Sequence, residues 1–334
     1  MLGLPRSHRK VVDYSTKRNR GLVLDYGTVA FCSYWFCFPR VTNYKGISRR
    51  YVNIPGMWTL RKILAKFRRK VFSTGLNRKV LLVNHHKVGS ALIWNIFEPM
   101  AIRIGWIIKN VHGIAETPPR DADVIQLMHG IVSSEFPVDE YRAVRFIRDP
   151  RDVIVSGYLY HKRCDEEWCT NPPTNYSDLL YPKVPWPLQH LSQDERENWV
   201  DFLNGKSYQQ NLIDMEEKEG LVFEMNGYAR ITIESMLDWV DEPGTLTVRL
   251  EDFASDFEST LTKILDWIGL EEETIQREVE LAKVHDISSM SDEDIRVNRH
   301  ISSREITKWD SYFNEELENI YHDLFGEVHK KLGY

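Results

Sequence analysis

Short apolar runs recur along the chain and alternate with longer segments of helical periodicity. The runs at 79–84, 123–128, 141–147 and 244–250 have the continuous apolar, β-prone character of buried strands. Segments that read as helices lie between and after them: 91–109, 148–163, 195–204, 207–219, 223–240, 256–268, 271–284 and an amphipathic stretch at 314–332. Since parallel strands need such helical crossovers, the order predicts an α/β fold with a mainly parallel sheet covered on both faces.

The first 75 residues differ in charge from the rest of the chain. Residues 1–70 hold 16 Lys or Arg but only two acidic residues, whereas the whole chain has a net charge of −6. We expect a basic, aromatic-rich arm with one helix at 1–75, followed by the main domain at 76–334. Residues 56–73 place apolar side chains at helical spacing among Lys and Arg, which fits peripheral contact with an anionic membrane or packing on the domain. So lopsided a distribution argues against a uniform polyanion-binding surface, and we expect no nucleic-acid partner.

Two further patterns bear on compartment and metal content. No apolar run reaches the roughly 18–20 residues of a membrane-spanning helix, and no apolar centre followed by a cleavage site marks a signal peptide. The four cysteines form two C-x4-C pairs, Cys32/Cys37 and Cys164/Cys169, which lack the further ligands of a zinc site. We therefore expect a metal-free, cytoplasmic protein, with an organelle or the Golgi lumen as alternatives.

The first segment that carries chemistry follows the strand at 79–84. It reads Lys87-Val88-Gly89-Ser90-Ala91 and stands between a strand and a helix. Backbone N–H groups at a helix N-terminus bind anions, and Gly89 lets the backbone approach one closely. Lys87 adds positive charge and Ser90 a hydroxyl. Because Lys precedes Gly, this is not the Gly-Lys-Ser/Thr loop of Mg²⁺-dependent nucleotide hydrolysis.

The second segment follows the strand at 141–147 and reads Arg148-Asp-Pro-Arg-Asp-x3-Ser156. Pro150 is favourable at a helix start, and either aspartate can cap the first turn. The planar guanidinium of Arg148 offers two parallel donors, which suits a phosphate monoester. Ser156 lies about two helical turns further on, so that its hydroxyl and Arg148 could meet on one phosphate.

Taken together, the two segments resemble the sulfotransferase family that uses 3′-phosphoadenosine 5′-phosphosulfate (PAPS). The resemblance extends from about residue 79 to the C-terminus and includes 248–252 (VRLED), 309–313 (WDSYF) and the final Leu-Gly-Tyr. It implies a doubly wound, P-loop-like fold with a parallel sheet of about five strands. It also implies that residues 87–91 grip the 5′-phosphosulfate, whereas Arg148 and Ser156 grip the 3′-phosphate.

The chain departs from this family at two places. Leu92 stands where the cytosolic branch has a tryptophan that stacks on adenine, and Trp94 lies two positions further on. The late Arg-Lys-Gly segment that completes the 3′-phosphate site is not intact. Arg304 is our candidate for its replacement, with Arg299 as an alternative.

For the catalytic base we select His129, because it ends the strand at 123–128 and should emerge at the carboxyl edge of the sheet. A histidine of near-neutral pKa suits proton removal from a hydroxyl. The carbohydrate-sulfating branches use glutamate, which keeps Glu116 as a rival, with Glu98 behind it. Lys87 should stabilise the leaving phosphate.

The predicted function is therefore sulfonate transfer from PAPS, without a metal, to a hydroxyl or amine of a small-molecule, lipid or carbohydrate acceptor. The aromatic segment at 164–205, with Trp168, Trp186 and Trp199, is the candidate acceptor region. Two alternatives remain. One is a P-loop-like nucleotide kinase, and the other is a non-catalytic nucleotide-fold protein that binds membrane or nucleic acid through its basic N-terminus.

Overall fold

The strands lie in one main sheet and one small pair. The computed structural model describes residues 78–173, 179–239, 243–297 and 305–334. The strands in these ranges are β1 (Lys79–Val83), β2 (Ile108–Val111), β3 (Ile114–Ala115), β4 (Val124–Leu127), β5 (Ile131–Val132), β6 (Tyr141–Ile147) and β7 (Thr245–Arg249). Among the described residues, five strands form a parallel sheet in the order β2-β4-β1-β6-β7, and β3 pairs with β5. The predicted parallel α/β fold is confirmed.

Helices connect and cover these strands. They are α1 (Ser90–Ile104), α2 (Pro150–His161), α3 (Glu167–Thr170), α4 (Gln193–Leu203), α5 (Tyr208–Asp214), α6 (Glu217–Asn226), α7 (Tyr228–Leu237), α8 (Leu250–Ser255), α9 (Phe257–Ile268), α10 (Glu272–Ala282), α11 (Asp292–Val297), α12 (Trp309–Tyr312), α13 (Glu315–Phe325) and α14 (Val328–Leu332). The start of α2 has the capping residues that the sequence predicts there. At α2, Asp149 accepts a hydrogen bond from the backbone N–H of Arg151, and Pro150 takes the first helical position. No described helix has the length and apolar character needed to cross a membrane.

The central strand β1 is buried on both faces. Val80 and Leu82 point into the larger hydrophobic core, together with residues of α1. Leu81 and Val83 point into a smaller core on the opposite face, which includes Trp239. Successive residues of a strand face opposite sides of the sheet, which explains why this run is apolar at every position instead of alternating.

The sequence-based prediction was wrong at several helix ends and breaks. The helix expected to reach residue 109 ends at Gly105, whose φ of 88° stops it in the left-handed region. The residues that follow it form the edge strand β2. Gly227 divides the helix predicted at 223–240, so that α6 ends before it and α7 begins after it. Residues 251–253, which separate the predicted strand at 244–250 from the predicted helix at 256–268, belong to helix α8 instead of a loop. The basic arm, the 56–73 segment and the sequence up to residue 77 lie outside the described residues.

Parallel strands put all their carboxyl ends at the same edge of the sheet. The segments that leave β1, β4 and β6 at that edge begin with Asn84, Met128 and Arg148. The chemistry-bearing residues of the two motifs therefore converge, as is usual for open α/β sheets.

Two glycines of similar backbone conformation provide a test of packing at this edge. Gly130 has φ of 64°, and an added Cβ would lie 2.1 Å from Cε1 of the buried His85; Gly205 has φ of 74°, with nothing within 4 Å. We expect Gly205→Ala to lower the free energy of unfolding by about 1 kcal/mol, from backbone strain alone. Gly130→Ala should lower it by about 1–3 kcal/mol more, from overpacking. Urea unfolding of both variants measures the difference, and equal losses would contradict this packing.

Candidate active site

The loop between β1 and α1 is folded by two residues in the left-handed region, Lys87 with φ of 60° and Gly89 with φ of 85°. A Cβ on Gly89 would lie 2.8 Å from Cδ1 of Leu250, so that only glycine fits there without a shift of that side chain. The Ser90 hydroxyl donates to the carbonyl of His85 at 3.0 Å and closes the loop. Val88 turns its side chain into the core. The loop therefore presents its backbone and Lys87, not Val88, to the space above the sheet.

Arg148 connects this loop to the second motif. Its side chain is only 6% exposed. One terminal nitrogen donates to the carbonyl of Lys87 at 3.2 Å, and the other donates to the carbonyl of Ile306. Burial lowers the pKa of Arg148 from its ordinary value, although the nearby carboxylates of Asp152 and Glu251 oppose the shift. The guanidinium is thus held in a fixed orientation between two loops.

One cavity of about 590 Å³ brings most of the predicted site residues together. Its wall includes Lys87, Gly89, Ser90, Ala91, Arg148, Ser156 and His129. Val88 does not line it, and neither do the rival bases Glu98 and Glu116, the second of which is exposed at the surface. Arg299 and Arg304 lie outside the described residues, so their predicted role stays a prediction.

Sequence reasoning missed a third cation, Lys308, which also lines the cavity. Asp152, on the buried face of α2, accepts hydrogen bonds from the backbone N–H groups of Lys308 at 2.7 Å and Trp309 at 3.1 Å. These bonds fix the start of α12 beside the second motif. Burial, and then the positive charge of Arg148, lower the pKa of Lys308. The sequence feature that could have identified Lys308 is its position directly before the WDSYF segment at 309–313.

The electrostatics around Lys87 are unusual. Burial, followed by repulsion from Arg148, lowers the pKa of Lys87 to about 7. Its ammonium lies 3.8 Å from the centre of the Tyr160 ring, a cation–π contact. The Tyr160 hydroxyl donates to the carboxylate of Glu166, which also lines the cavity and partly offsets the loss of charge on Lys87. Glu166 was not predicted, because it lies outside both motifs.

His129 is half-buried and lines the same cavity. Its Nδ1 accepts a hydrogen bond from the backbone N–H of Gly113 at 3.0 Å, which places the proton of the neutral ring on Nε2. Burial, and then the neighbouring His112, lower the pKa of His129 to about 3. The neutral ring is therefore a hydrogen-bond donor and a weak base.

Aromatic rings also line the cavity. Tyr181 stacks on Trp186 with ring centres 4.3 Å apart, and His112 lies 5.5 Å from the same indole. Trp168 also lines the cavity, whereas Trp199 packs away from it against Tyr208. The segment proposed from sequence for acceptor contact thus contributes two of its three tryptophans.

A parallel sheet with cationic loops around one cavity defines an α/β protein with a positively charged site at the carboxyl edge of its sheet. Residues 127–333 match the family model described as the sulfotransferase domain. Because that match covers more than half of the chain, the protein belongs to this family, and its general chemistry is sulfonyl transfer. No curated protein sequence matches the chain.

Solved structures resemble the chain at low sequence identity. The mouse sulfotransferase SULT7A1, complexed with PAP, is 14% identical; the similarity covers 81% of this chain and 91% of that one, with a TM-score of 0.40. A retinol dehydratase in complex with androsterone and the inactive cofactor PAP is 15% identical, with 80% and 86% coverage and a TM-score of 0.36.

Burial of the Asp152 carboxyl should be visible in the pH dependence of stability. Burial raises the pKa of Asp152 to about 6, against the pull of Arg148. The folded state therefore holds a proton that the unfolded chain has released, and stability falls as the pH rises from about 4 to 7. Relative to Asp152→Asn, the wild type should lose up to about 3 kcal/mol of unfolding free energy over this range.

Urea unfolding at pH 4, 5.5 and 7 measures this difference. Asp149→Asn is the matched control. Burial would raise the pKa of Asp149, but hydrogen bonds from His329 and Arg151 hold it at about 2, so it does not titrate in this window. Parallel stability curves for the wild type and Asp152→Asn would rule out a raised pKa at Asp152.

Proposed function

We propose that the protein transfers a sulfonate group from PAPS to a hydroxyl or amine of a small-molecule acceptor. The observation that carries this proposal is the hydrogen bond from the Arg148 guanidinium to the carbonyl of Lys87. This hydrogen bond supports a single site in which both proposed anion-binding loops contact the same ligand. PAPS has anionic groups at both ends of one nucleoside, so it requires two such loops in one cavity.

The residues present fit such a donor. The loop at 87–91 would hold the 5′-phosphosulfate with backbone N–H groups and the Lys87 ammonium. Arg148 and the Ser156 hydroxyl would hold the 3′-phosphate, and Lys308 supports that subsite in addition to the sequence-based candidate Arg304. The apolar wall from Leu250, Phe253 and Phe257 suits the adenine.

When bound, PAPS supplies a sulfur–oxygen bond that is already activated. In the proposed reaction the bond from sulfur to the 5′-phosphate breaks, its electron pair stays on the phosphate oxygen, and sulfur bonds to the acceptor oxygen as the acceptor's proton leaves. Lys87 would offset the charge that grows on the leaving oxygen. His129 stays a candidate for contact with the acceptor, as a base or, in the tautomer set by Gly113, as a donor that orients its oxygen.

The aromatic residues that line the cavity support an acceptor that is a small molecule with a ring. Trp168, Trp186 and Tyr181 offer flat apolar faces, while His112 and His129 bring polar edges. Such walls bind a phenol, a sterol or a sugar through stacking and hydrogen bonds. A lipid with a ring-bearing head group fits the same description.

Arg148→Ala should weaken the binding of 3′-phosphoadenosine 5′-phosphate (PAP) by about 10- to 100-fold, the range for losing hydrogen bonds to a charged group. Arg148→Lys, which keeps the charge but not the paired donors, should fall between this variant and the wild type. Isothermal titration measures all three. The matched control is Arg230→Ala, which removes only an ion pair with Glu234 within α7 and should bind like the wild type. Equal affinity of Arg148→Ala and wild type would refute the proposed 3′-phosphate site.

Affinity for PAP should also depend on pH through Lys87. In the free protein the pKa of Lys87 is about 7, and a bound anion raises it. Below pH 7 the ammonium is charged in both states; above pH 7 binding must take up a proton, so affinity should fall by up to about tenfold per pH unit. Titrations at pH 7, 8 and 9 test this, and Lys87→Met should bind more weakly at pH 7 and lose most of the slope. A slope that survives in Lys87→Met would assign the proton to another group.

A further inference from the structure

The Lys87 ammonium has a defined aromatic neighbour. It lies 3.8 Å from the centre of the Tyr160 ring, near the end of α2, and both residues line the cavity. A lysine side chain has a flexible aliphatic stem, so a contact is needed to hold its charge in one place. The face of an aromatic ring attracts a cation without carrying a net charge. The ring can therefore hold the ammonium without repelling an incoming anion, as a carboxylate would.

Glu166 holds Tyr160 by its hydroxyl. The hydroxyl donates to Oε1 of this carboxylate, and the indole N–H of Trp168 donates to Oε2. Burial, and then the hydrogen bond to Glu166, raise the pKa of Tyr160, so the hydroxyl keeps its proton and stays a donor. The rings of His86 and His161 make T-shaped contacts with Tyr160, with ring centres 5.7 Å and 5.4 Å away. These contacts together restrict the tyrosine ring to one orientation.

The charge of Lys87 depends on opposing effects. Burial, and then repulsion from Arg148 and Arg163, lower its pKa to about 7, whereas the carboxylates of Glu166 and Glu224 raise it. The titratable and charged groups around the ammonium, from all the elements packed there, are His86, Arg148, Tyr160, Arg163, Glu166 and Glu224. Because the pKa lies near neutrality, any contact that favours the ammonium changes the fraction of Lys87 that is charged at pH 7.

Tyr160 supplies such a contact. Cation–π attraction favours the charged ammonium over the neutral amine, and it is stronger where water is excluded. Donation to the Glu166 carboxylate makes the phenol ring richer in electrons, because hydrogen-bonded groups polarise one another. The effect of the carboxylate thus reaches the Lys87 ammonium in part through a neutral ring.

We infer that Tyr160 is a positioning residue for Lys87: its ring holds the ammonium in the cavity and keeps it charged, while Glu166 holds the ring. The contact exists in the free protein and needs no ligand. Its consequence for PAP rests on the proposed function, in which the charged ammonium binds the 5′-phosphosulfate and offsets the charge on the leaving oxygen. In this role Tyr160 acts on the reaction through Lys87.

The first experiment measures the charge of Lys87 without a ligand. In the full-length protein labelled with ¹³C-lysine, the Cε chemical shift follows the charge of each amine, and the signal missing from Lys87→Met identifies Lys87. Tyr160→Leu removes the ring and should lower the pKa of Lys87 by about 0.5 to 1.5, the equivalent of a partly desolvated cation–π contact. Tyr160→Phe keeps the ring but not the hydroxyl, so its value should lie between that of Tyr160→Leu and the wild type.

The matched control for this titration is Tyr312→Leu. Tyr312 is half-buried, as Tyr160 is, but it lies on α12 and does not line the cavity, so the pKa of Lys87 should keep its wild-type value. An unchanged pKa of Lys87 in Tyr160→Leu would overturn the inference. A value in Tyr160→Phe as low as that in Tyr160→Leu would also overturn it, because the ring face would then contribute nothing.

The second experiment measures the consequence for binding. At pH 5 the Lys87 ammonium is charged before and after PAP binds, so Tyr160→Leu and the wild type should differ in affinity by less than about threefold. At pH 8 binding must place a proton on Lys87, which is less favourable without the ring, so Tyr160→Leu should bind PAP about 3- to 30-fold more weakly. In a Lys87→Met background the same substitution should lose this dependence on pH. Isothermal titration of the four proteins measures these affinities.

The outcomes separate the inference from the proposed function. If the wild type does not bind PAP at either pH, the proposed function fails, whereas the ¹³C titration still decides the role of Tyr160. If the wild type binds PAP but Tyr160→Leu loses the same affinity at pH 5 and pH 8, only the role of Tyr160 fails. A loss of affinity that is confined to pH 8 and vanishes in the Lys87→Met background would support both.

Discussion

The site depends on one interaction, the hydrogen bond from the buried guanidinium of Arg148 to the carbonyl of Lys87. It joins the loops that follow two adjacent strands, β1 and β6, and so sets the distance between the two cationic motifs. A buried guanidinium keeps its charge only where acceptors surround it. Carbonyls of two loops accept hydrogen bonds from its two terminal nitrogens. The fold supplies this arrangement because parallel strands deliver their following loops to one edge.

Concentrated positive charge in a partly buried cavity has an electrostatic consequence. Arg148 repels both Lys87 and Lys308 in the free protein, and burial, together with this repulsion, lowers the pKa of both lysines. A polyanionic ligand would relieve it, so the free site is poised for binding. On the buried side of the loop, the Glu224 carboxylate lies next to the imidazole of His161, which in turn contacts the imidazole of His86.

Local signals predicted most of the fold and the two motifs, because apolar strands and loop chemistry are encoded over a few residues. Strand β6 was predicted at its observed bounds, and the loop between β1 and α1 lies where expected, although α1 starts one residue earlier than predicted, at Ser90. The errors have physical causes: Gly105 ended a helix that periodicity would have continued, and β2 is an edge strand with a weak apolar pattern. Glu166, Lys308 and the pairing of His86 with His161 depend on contacts between distant parts of the chain. Short-range patterns do not carry that information.

The central claim is that one ligand spans the Lys87 loop and the Arg148 subsite. It is tested most directly by comparing PAP with 5′-AMP and 3′-AMP in the wild type, Lys87→Met and Arg148→Ala. In the wild type PAP should bind more tightly than either monophosphate. Arg148→Ala should lose the preference for PAP over 5′-AMP, and Lys87→Met the preference for PAP over 3′-AMP. If either variant lowered the affinity for all three ligands equally, or if neither preference existed in the wild type, the two loops would not bind opposite ends of one nucleotide.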